Sequence, residues 1–138
     1  MHYLLAPLVA WAIAQAAKVT LTSMRQRKLN LRVLAETGGM PSSHSAIVAA
    51  LTTSVGRLNG VSSDTFAIAL IFSIVVMYDA QGVRRAAGLQ AAILNRLVDD
   101  LVAQKGIRET RLRELLGHTP VEVLVGAALG IAVGLVPL

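Results

Sequence analysis

Apolar stretches alternate with polar segments along the chain, and the apolar stretches predict helices. The first runs from Tyr3 to Thr22 and contains one charged residue, Lys18. Its length is sufficient for a helix that crosses a bilayer. The second, from Ser45 to Leu58, is short and contains several Ser and Thr residues. We therefore expect it to form a helix that packs inside a bundle.

Two further apolar stretches follow. Asp64 is a favourable N-cap for the third helix, whose apolar run ends at Tyr78, and a full crossing would carry this helix on towards Arg84. The fourth stretch, Pro120 to Leu138, opens with proline at the first helical position. It contains three glycines at four-residue spacing: Gly126, Gly130 and Gly134. Small residues at this spacing favour close helix packing, and such a face is also compatible with a homodimer.

A polar segment, Gly82 to Thr119, separates the third and fourth stretches. It contains an amphipathic pattern from Leu89 to Val102 and a shorter predicted helix from Arg108 to Leu116. Together the patterns predict an all-α fold. We expect an integral membrane helical bundle with about four transmembrane helices and an amphipathic cytoplasmic helical segment, formed as a single domain by residues 1–138.

Composition and charge support a membrane location. Hydrophobic residues make up 54% of the chain and charged residues 15%, whereas soluble domains carry about 25% charged residues. The absence of cysteine excludes disulfides and thiolate metal sites.

Most of the 13 basic residues lie between residues 24 and 40 or after the third stretch. The positive-inside rule makes that side cytoplasmic, so we expect a multi-pass protein of the inner membrane and no nucleic-acid partner.

The first stretch is expected to be a retained helix rather than a signal peptide. A signal peptide carries positive charge before its apolar run. Here the Arg and Lys residues follow the run.

The junction before the second helix could bind an anion. The sequence from Gly38 to Ser45 reads Gly-Gly-Met-Pro-Ser-Ser-His-Ser. Gly39 permits a tight backbone, Pro41 is expected to start the helix, and Ser42 and Ser43 lie beside unpaired helix N–H groups, a setting that suits a phosphate. The alternative is a plain N-cap with His44 on the surface.

A second candidate cluster precedes the fourth helix. His118 and Glu122 are four residues apart, so the carboxylate could hold one imidazole nitrogen and leave the other as a nucleophile or base. Thr119 and Glu122 also fit a capping box, which alone would explain the glutamate. The two interpretations are not exclusive.

Charged residues near the third and first helices are the remaining candidates. Asp79 is followed by Arg84 and Arg85. Arginine suits phosphate oxygens, although a structural Asp–Arg pair would also explain the group. Lys18 is either a snorkelling anchor or a phosphate ligand, and snorkelling is slightly favoured.

The four-helix topology places all of these residues at or just beneath one membrane face. Two histidines, a carboxylate, several cations and a backbone anion cradle at one face suit phosphoryl transfer through a phosphohistidine.

Three blocks of sequence resemble the divergent branch of the type-2 phosphatidic acid phosphatases (PAP2), which are related to acid phosphatases and vanadium haloperoxidases. The blocks begin at Met40, Tyr78 and Leu115 and read MPSSHS, YDAQGVRRAAG and LLGHTPVEV. The resemblance covers nearly the whole chain.

The resemblance implies catalysis without a metal or cofactor and assigns roles to several of the candidate residues. It makes His118 the nucleophile, Glu122 its orienting carboxylate and His44 the acid that protonates the leaving group. Lys18, Ser42 and Arg84 or Arg85 would bind the phosphate. The chain departs from the broader superfamily pattern, because Ser43 replaces glycine, Glu122 replaces aspartate, and the arginines lie more than thirty residues before His118.

We therefore expect a membrane enzyme that hydrolyses a lipid phosphate on the cytoplasmic side, with phosphatidylglycerophosphate as a candidate substrate. A polyprenyl pyrophosphate phosphatase is an alternative that fits this orientation less well. A non-catalytic protein that binds anionic lipid or a partner is a second alternative. A third is a metal site formed by His44, His118, Asp79 and Glu122.

Overall fold

The computed structural model describes residues 2–27, 39–105 and 118–137. Within these ranges the chain forms helices and no strand, which confirms the predicted all-α class. The helices are α1 (His2–Gln26), α2 (Ser43–Asn59), α3 (Asp64–Lys105) and α4 (Pro120–Leu135). The predicted helix from Arg108 to Leu116 lies outside the described residues.

Helix α2 is the centre of the bundle and packs against α1, α3 and α4. The prediction that this short, hydroxyl-rich helix is an inner one is therefore confirmed. The hydroxyl of Thr52 bonds within the protein, because Thr52 Oγ1 lies 2.6 Å from Ser73 Oγ on α3 and Ser73 Oγ donates to the Val48 carbonyl at 2.9 Å. Such bonds satisfy polar groups that would otherwise be buried without a partner.

The helix directions follow from contacts at the two ends of α2. Tyr3 near the start of α1 donates to Asn59 at the end of α2 at 2.6 Å, whereas Lys18 lies beside Gly39, which precedes α2. Helix α1 is therefore antiparallel to α2, as is α3. Helix α4 runs parallel to α2. The end of α1 and the starts of α2 and α4 consequently lie together at one end of the bundle.

The interior is built from small side chains and the surface from large apolar ones. The core cluster contains Ala6, Ala10, Ala14, Ala46 and Ala50, and the largest fully buried side chains are serines. The exposed large apolar residues include Leu8 and Trp11 on α1, Ile68, Ile71 and Phe72 on α3, and Leu124 and Ile131 on α4. This distribution is typical of helices that pack in a membrane.

Among the described residues, one helix, Tyr3–Gln26, is long and apolar enough to cross a membrane by length and composition. Helix α4 is apolar but shorter, with 16 residues. The four-span arrangement is not confirmed and stays a prediction.

Helix α3 corrects the sequence analysis. The sequence suggested an apolar helix and a separate amphipathic one, whereas the structure has one continuous helix of 42 residues, about 63 Å long. The residues after Tyr78 are mostly Ala, Leu, Arg and Gln, which sustain a helix across the two glycines. The cap is also corrected, because Ser63, not Asp64, accepts the Phe66 N–H at 3.2 Å.

The three glycines of α4 pack against α2. A Cβ added at Gly126 would collide with the Ser42 carbonyl, one at Gly130 with the Ala46 carbonyl, and one at Gly134 with Thr53. The close-packing interpretation is confirmed. Since this face is covered within the chain, it gives no support to a homodimer, which stays a prediction without that basis.

Candidate functional site

The start of α2 forms one wall of the candidate site. Ser42 is the N-cap, and its Oγ accepts hydrogen bonds from the Ser45 N–H at 3.4 Å and the Ser45 hydroxyl at 3.1 Å. The expectation that Pro41 starts the helix is wrong, because the helix begins two residues later, at Ser43. A capping hydroxyl has to precede the first turn, and Ser42 fills that position. His44 lies at the second helical position and is exposed.

The start of α4 holds the second histidine. Thr119 is the N-cap of a complete capping box, in which Glu122 Oε2 accepts the Thr119 N–H at 3.0 Å. The same oxygen lies 3.1 Å from His118 Nδ1. Glu122 therefore completes the capping box and contacts His118 at the same time, and its part in catalysis stays a prediction. With the Nδ1 proton donated to the carboxylate, Nε2 of His118 carries the lone pair.

The two imidazoles meet, as predicted. The ring centroids of His44 and His118 are 6.3 Å apart, with an angle of 62° between the ring planes. His118 is only 7% exposed, whereas His44 faces outward. The two rings are therefore neighbours at the end of the bundle where α2 and α4 start.

Lys18 lies inside the bundle, beside the segment that precedes α2. It is 4% exposed, and its Cε would be 3.0 Å from a Cβ added at Gly39. Gly39 has φ +90, so glycine is required both for the backbone conformation and for the room that the lysine occupies. A snorkelling lysine keeps its ammonium group in water. The snorkelling interpretation of Lys18 is therefore wrong.

Helix α3 contacts the site through its backbone. The His118 N–H donates to the Ala80 carbonyl at 3.2 Å, and Asp79, the residue before, is exposed. Arg84 and Arg85 belong to the same helix, but their side chains lie outside the described part of the structure. Ser43 is the first residue of α2, and its role stays a prediction.

The predicted metal alternative is not supported. Among the described residues, no group of three or more histidines and carboxylates is close enough to hold a metal ion. Glu122 lies against His118, but Asp79 does not complete a ligand set with them. The arrangement instead has the parts needed for transfer of a phosphoryl group to nitrogen: an oriented imidazole, a second imidazole and helix N–H groups.

Sequence analysis missed Arg25. This residue lines a cavity beside the site, together with Gly39 and Glu122. A signal was present, because Lys18 and Arg25 are seven residues apart and so lie on one face of α1. From the sequence alone, Arg25 is one of several basic residues between positions 24 and 40.

The fold and site define an α-helical protein of membrane type with paired histidines at one end of its bundle. The chain belongs to the Divergent PAP2 family, whose sequence profile matches residues 1–133. The resemblance seen in the sequence is thus confirmed at the level of the family. The chain is also 43% identical to "Uncharacterized membrane protein YuiD" of Bacillus subtilis (strain 168), over 96% of this chain and 91% of that protein. No solved structure matches the chain.

Proposed function

We propose that this protein is a metal-independent membrane phosphatase that hydrolyses a lipid phosphate through a phosphohistidine. The observation that carries the proposal is the pairing of His44 with His118, whose Nδ1 is held by Glu122. Membership of a PAP2-related family agrees with this chemistry. It does not identify a substrate.

His118 is the proposed nucleophile. Its Nε2 attacks the phosphorus, the P–O bond to the leaving group breaks, and the leaving oxygen takes a proton from His44. Water then attacks the phosphohistidine with His44 as the base, the P–N bond breaks, and inorganic phosphate leaves. Glu122 holds the imidazole through Nδ1, which makes Nε2 the attacking nitrogen.

The negative charge of the transferring phosphoryl group is stabilised by the cradle. The ammonium group of Lys18, beside Gly39, and the N–H groups at the start of α2 supply positive charge from two elements. Ser42 and Ser43 add hydroxyls at the same helix end. Groups of this kind, fixed in place before the reaction, are an effective form of transition-state stabilisation.

Arg84 or Arg85, both on α3, is the proposed phosphate-binding arginine. Arginine presents a planar fork that suits phosphate oxygens.

The proposed substrate reaches the site from the cytoplasmic leaflet. The basic residues near the site end of the bundle favour that side by the positive-inside rule. Newly made phospholipid precursors are available there, which makes phosphatidylglycerophosphate the candidate substrate.

Phosphate release from a panel of lipids tests the proposal. Detergent-purified protein would be given phosphatidic acid, phosphatidylglycerophosphate and a prenyl pyrophosphate, each with a chelator present. We expect release from at least one phospholipid, and a protein-bound phosphate that is stable in alkali and labile in acid.

The matched control is His118→Asn, which should release no phosphate while its unfolding temperature stays near that of the wild type. Chelator-sensitive release would support the metal alternative. Release from the prenyl pyrophosphate alone would replace the proposed substrate. No release at all, with anionic vesicles still bound by both proteins, would indicate a non-catalytic lipid-binding protein.

A further inference from the structure

A cavity of about 740 Å³ lies beside the candidate site. It is bounded by the last turns of α1, the segment before α2 and the start of α4. Its lining includes Leu21, Arg25, Gly39, Met40 and Glu122. A space of this size is typical of a pocket for a small organic molecule and exceeds what one phosphate needs.

The cavity shares two walls with the candidate site. Gly39 separates it from Lys18, and Glu122, on another wall, contacts His118. A molecule whose phosphate lies between the two imidazoles therefore has the cavity next to it, and the rest of its head group can extend into that space.

The charge and polarity of the cavity suit a second anionic group. Arg25 supplies a planar cation, which binds phosphate oxygens through two parallel hydrogen bonds. The acidic wall at Glu122 offers less repulsion than a free carboxylate, because its Oε2 accepts the Thr119 N–H and contacts His118. Leu21 and Met40 provide apolar surface for carbon atoms between the two anionic groups.

We propose that this cavity is a head-group pocket in which Arg25 binds a second phosphate of the substrate. The inference rests on the proposed phosphatase function and makes it more specific. The substrate class is a lipid that carries a phosphomonoester for hydrolysis and a further phosphate in the same head group. A lipid with one phosphate leaves the pocket without its anionic ligand.

Two substrates with identical acyl chains test the pocket. Phosphatidic acid has one phosphate, and phosphatidylglycerophosphate has a phosphomonoester and a phosphodiester. We expect wild-type protein in detergent micelles to have the higher kcat/KM for the second. Arg25→Gln should lower that kcat/KM roughly 10- to 100-fold, the range for a hydrogen bond to a charged group, and change the value for phosphatidic acid by less than about twofold.

Arg27→Gln is the matched control. It removes the same charge from an exposed residue that lies two positions after Arg25, just beyond α1. It should leave both values near those of the wild type. Arg25→Lys should restore part of the loss, since it keeps the charge but not the planar fork.

Three results would overturn the inference while the phosphatase function stands. They are equal wild-type kcat/KM for the two lipids, an equal loss on both in Arg25→Gln, or the same loss in Arg27→Gln. Absence of phosphate release from either lipid by the wild type would instead overturn the proposed function, and the pocket with it.

Discussion

The starts of α2 and α4 are neighbours that point the same way, yet they hold their histidines differently. At α4 the N-cap is Thr119, and the residue three positions later, Glu122, holds a buried His118. At α2 the N-cap is Ser42, and the corresponding residue is the neutral Ser45, which bonds to Ser42.

This difference suits two different tasks. An imidazole that attacks phosphorus benefits from a fixed orientation and a carboxylate that stabilises its positive charge. An imidazole that exchanges protons with a leaving group and with water benefits from access to solvent. His118 is the buried member of the pair and His44 the exposed one.

The largest expected effects on phosphate release come from replacing the two histidines. Only the effect of replacing His44 should depend on the leaving group of the substrate. His118→Ala should abolish phosphate release from every substrate, because no nucleophile remains. His44→Ala should lower kcat for an alkyl phosphate lipid roughly 10²- to 10⁴-fold. It should have far less effect on an aryl phosphate, whose phenol leaves without a proton.

Initial rates of phosphate release on both substrates provide the measurement, with unfolding temperatures as the control for folding. If His44→Ala reduced turnover of the alkyl and aryl substrates equally, His44 would not be the acid.

The next effect separates the two functions of Glu122. Gln at this position can keep the capping box but loses the charge that His118 uses. We expect Glu122→Gln to lower kcat by at least about tenfold with little loss of stability. Thr119→Ala should show the reverse balance, with about 1 kcal/mol of stability lost and a much smaller change in kcat.

Chemical denaturation and initial rates measured on the same samples distinguish these outcomes. Equal losses of activity in the two variants would mean that Glu122 acts only as part of the helix cap.

A smaller effect on activity is expected from changing the spacing of the two helix starts. Gly126→Ala places a methyl group against the Ser42 backbone, so α4 must move away from α2. We expect a loss of about 1–3 kcal/mol in the free energy of unfolding and a lower kcat. Ala128→Leu is the control, because it adds more volume to an exposed position of the same helix. Wild-type stability in Gly126→Ala would contradict the tight contact.

The smallest effect is expected at Ser45. Ser45→Ala removes the bond between the two hydroxyls, but the Ser45 N–H still bonds to Ser42. We expect a loss of stability below about 1 kcal/mol and a kcat near that of the wild type. A fall in kcat as large as that of Glu122→Gln would show that Ser45 matters for catalysis as much as Glu122 does. The two helix starts would then not differ in the way described above.

Local patterns in the sequence predicted much of this site. Thr119, Pro120 and Glu122 specify the start of α4 from their spacing alone, and the capping box is present. The meeting of His44 and His118 followed from counting helices, because alternate helix starts fall at the same end of an up-and-down bundle.

Features that depend on which surfaces pack together could not be predicted. A glycine face indicates that another helix packs closely, but it does not show which helix. Here the packing helix is α2 rather than a helix of a second chain. The burial of Lys18 depends on Gly39, which is far away in sequence. The continuity of α3 was missed because glycine and paired arginines are compatible with both a break and a continuing helix.

The glycine stripe of α4 has an electrostatic consequence. It lets two helices with the same direction touch, and each carries roughly half a positive elementary charge at its first turn. Two such ends side by side repel one another, and Glu122 in the first turn of α4 offsets part of that repulsion. A bound oxyanion relieves that repulsion, so occupancy of the site should hold the bundle together, and inorganic phosphate or vanadate should raise its melting temperature.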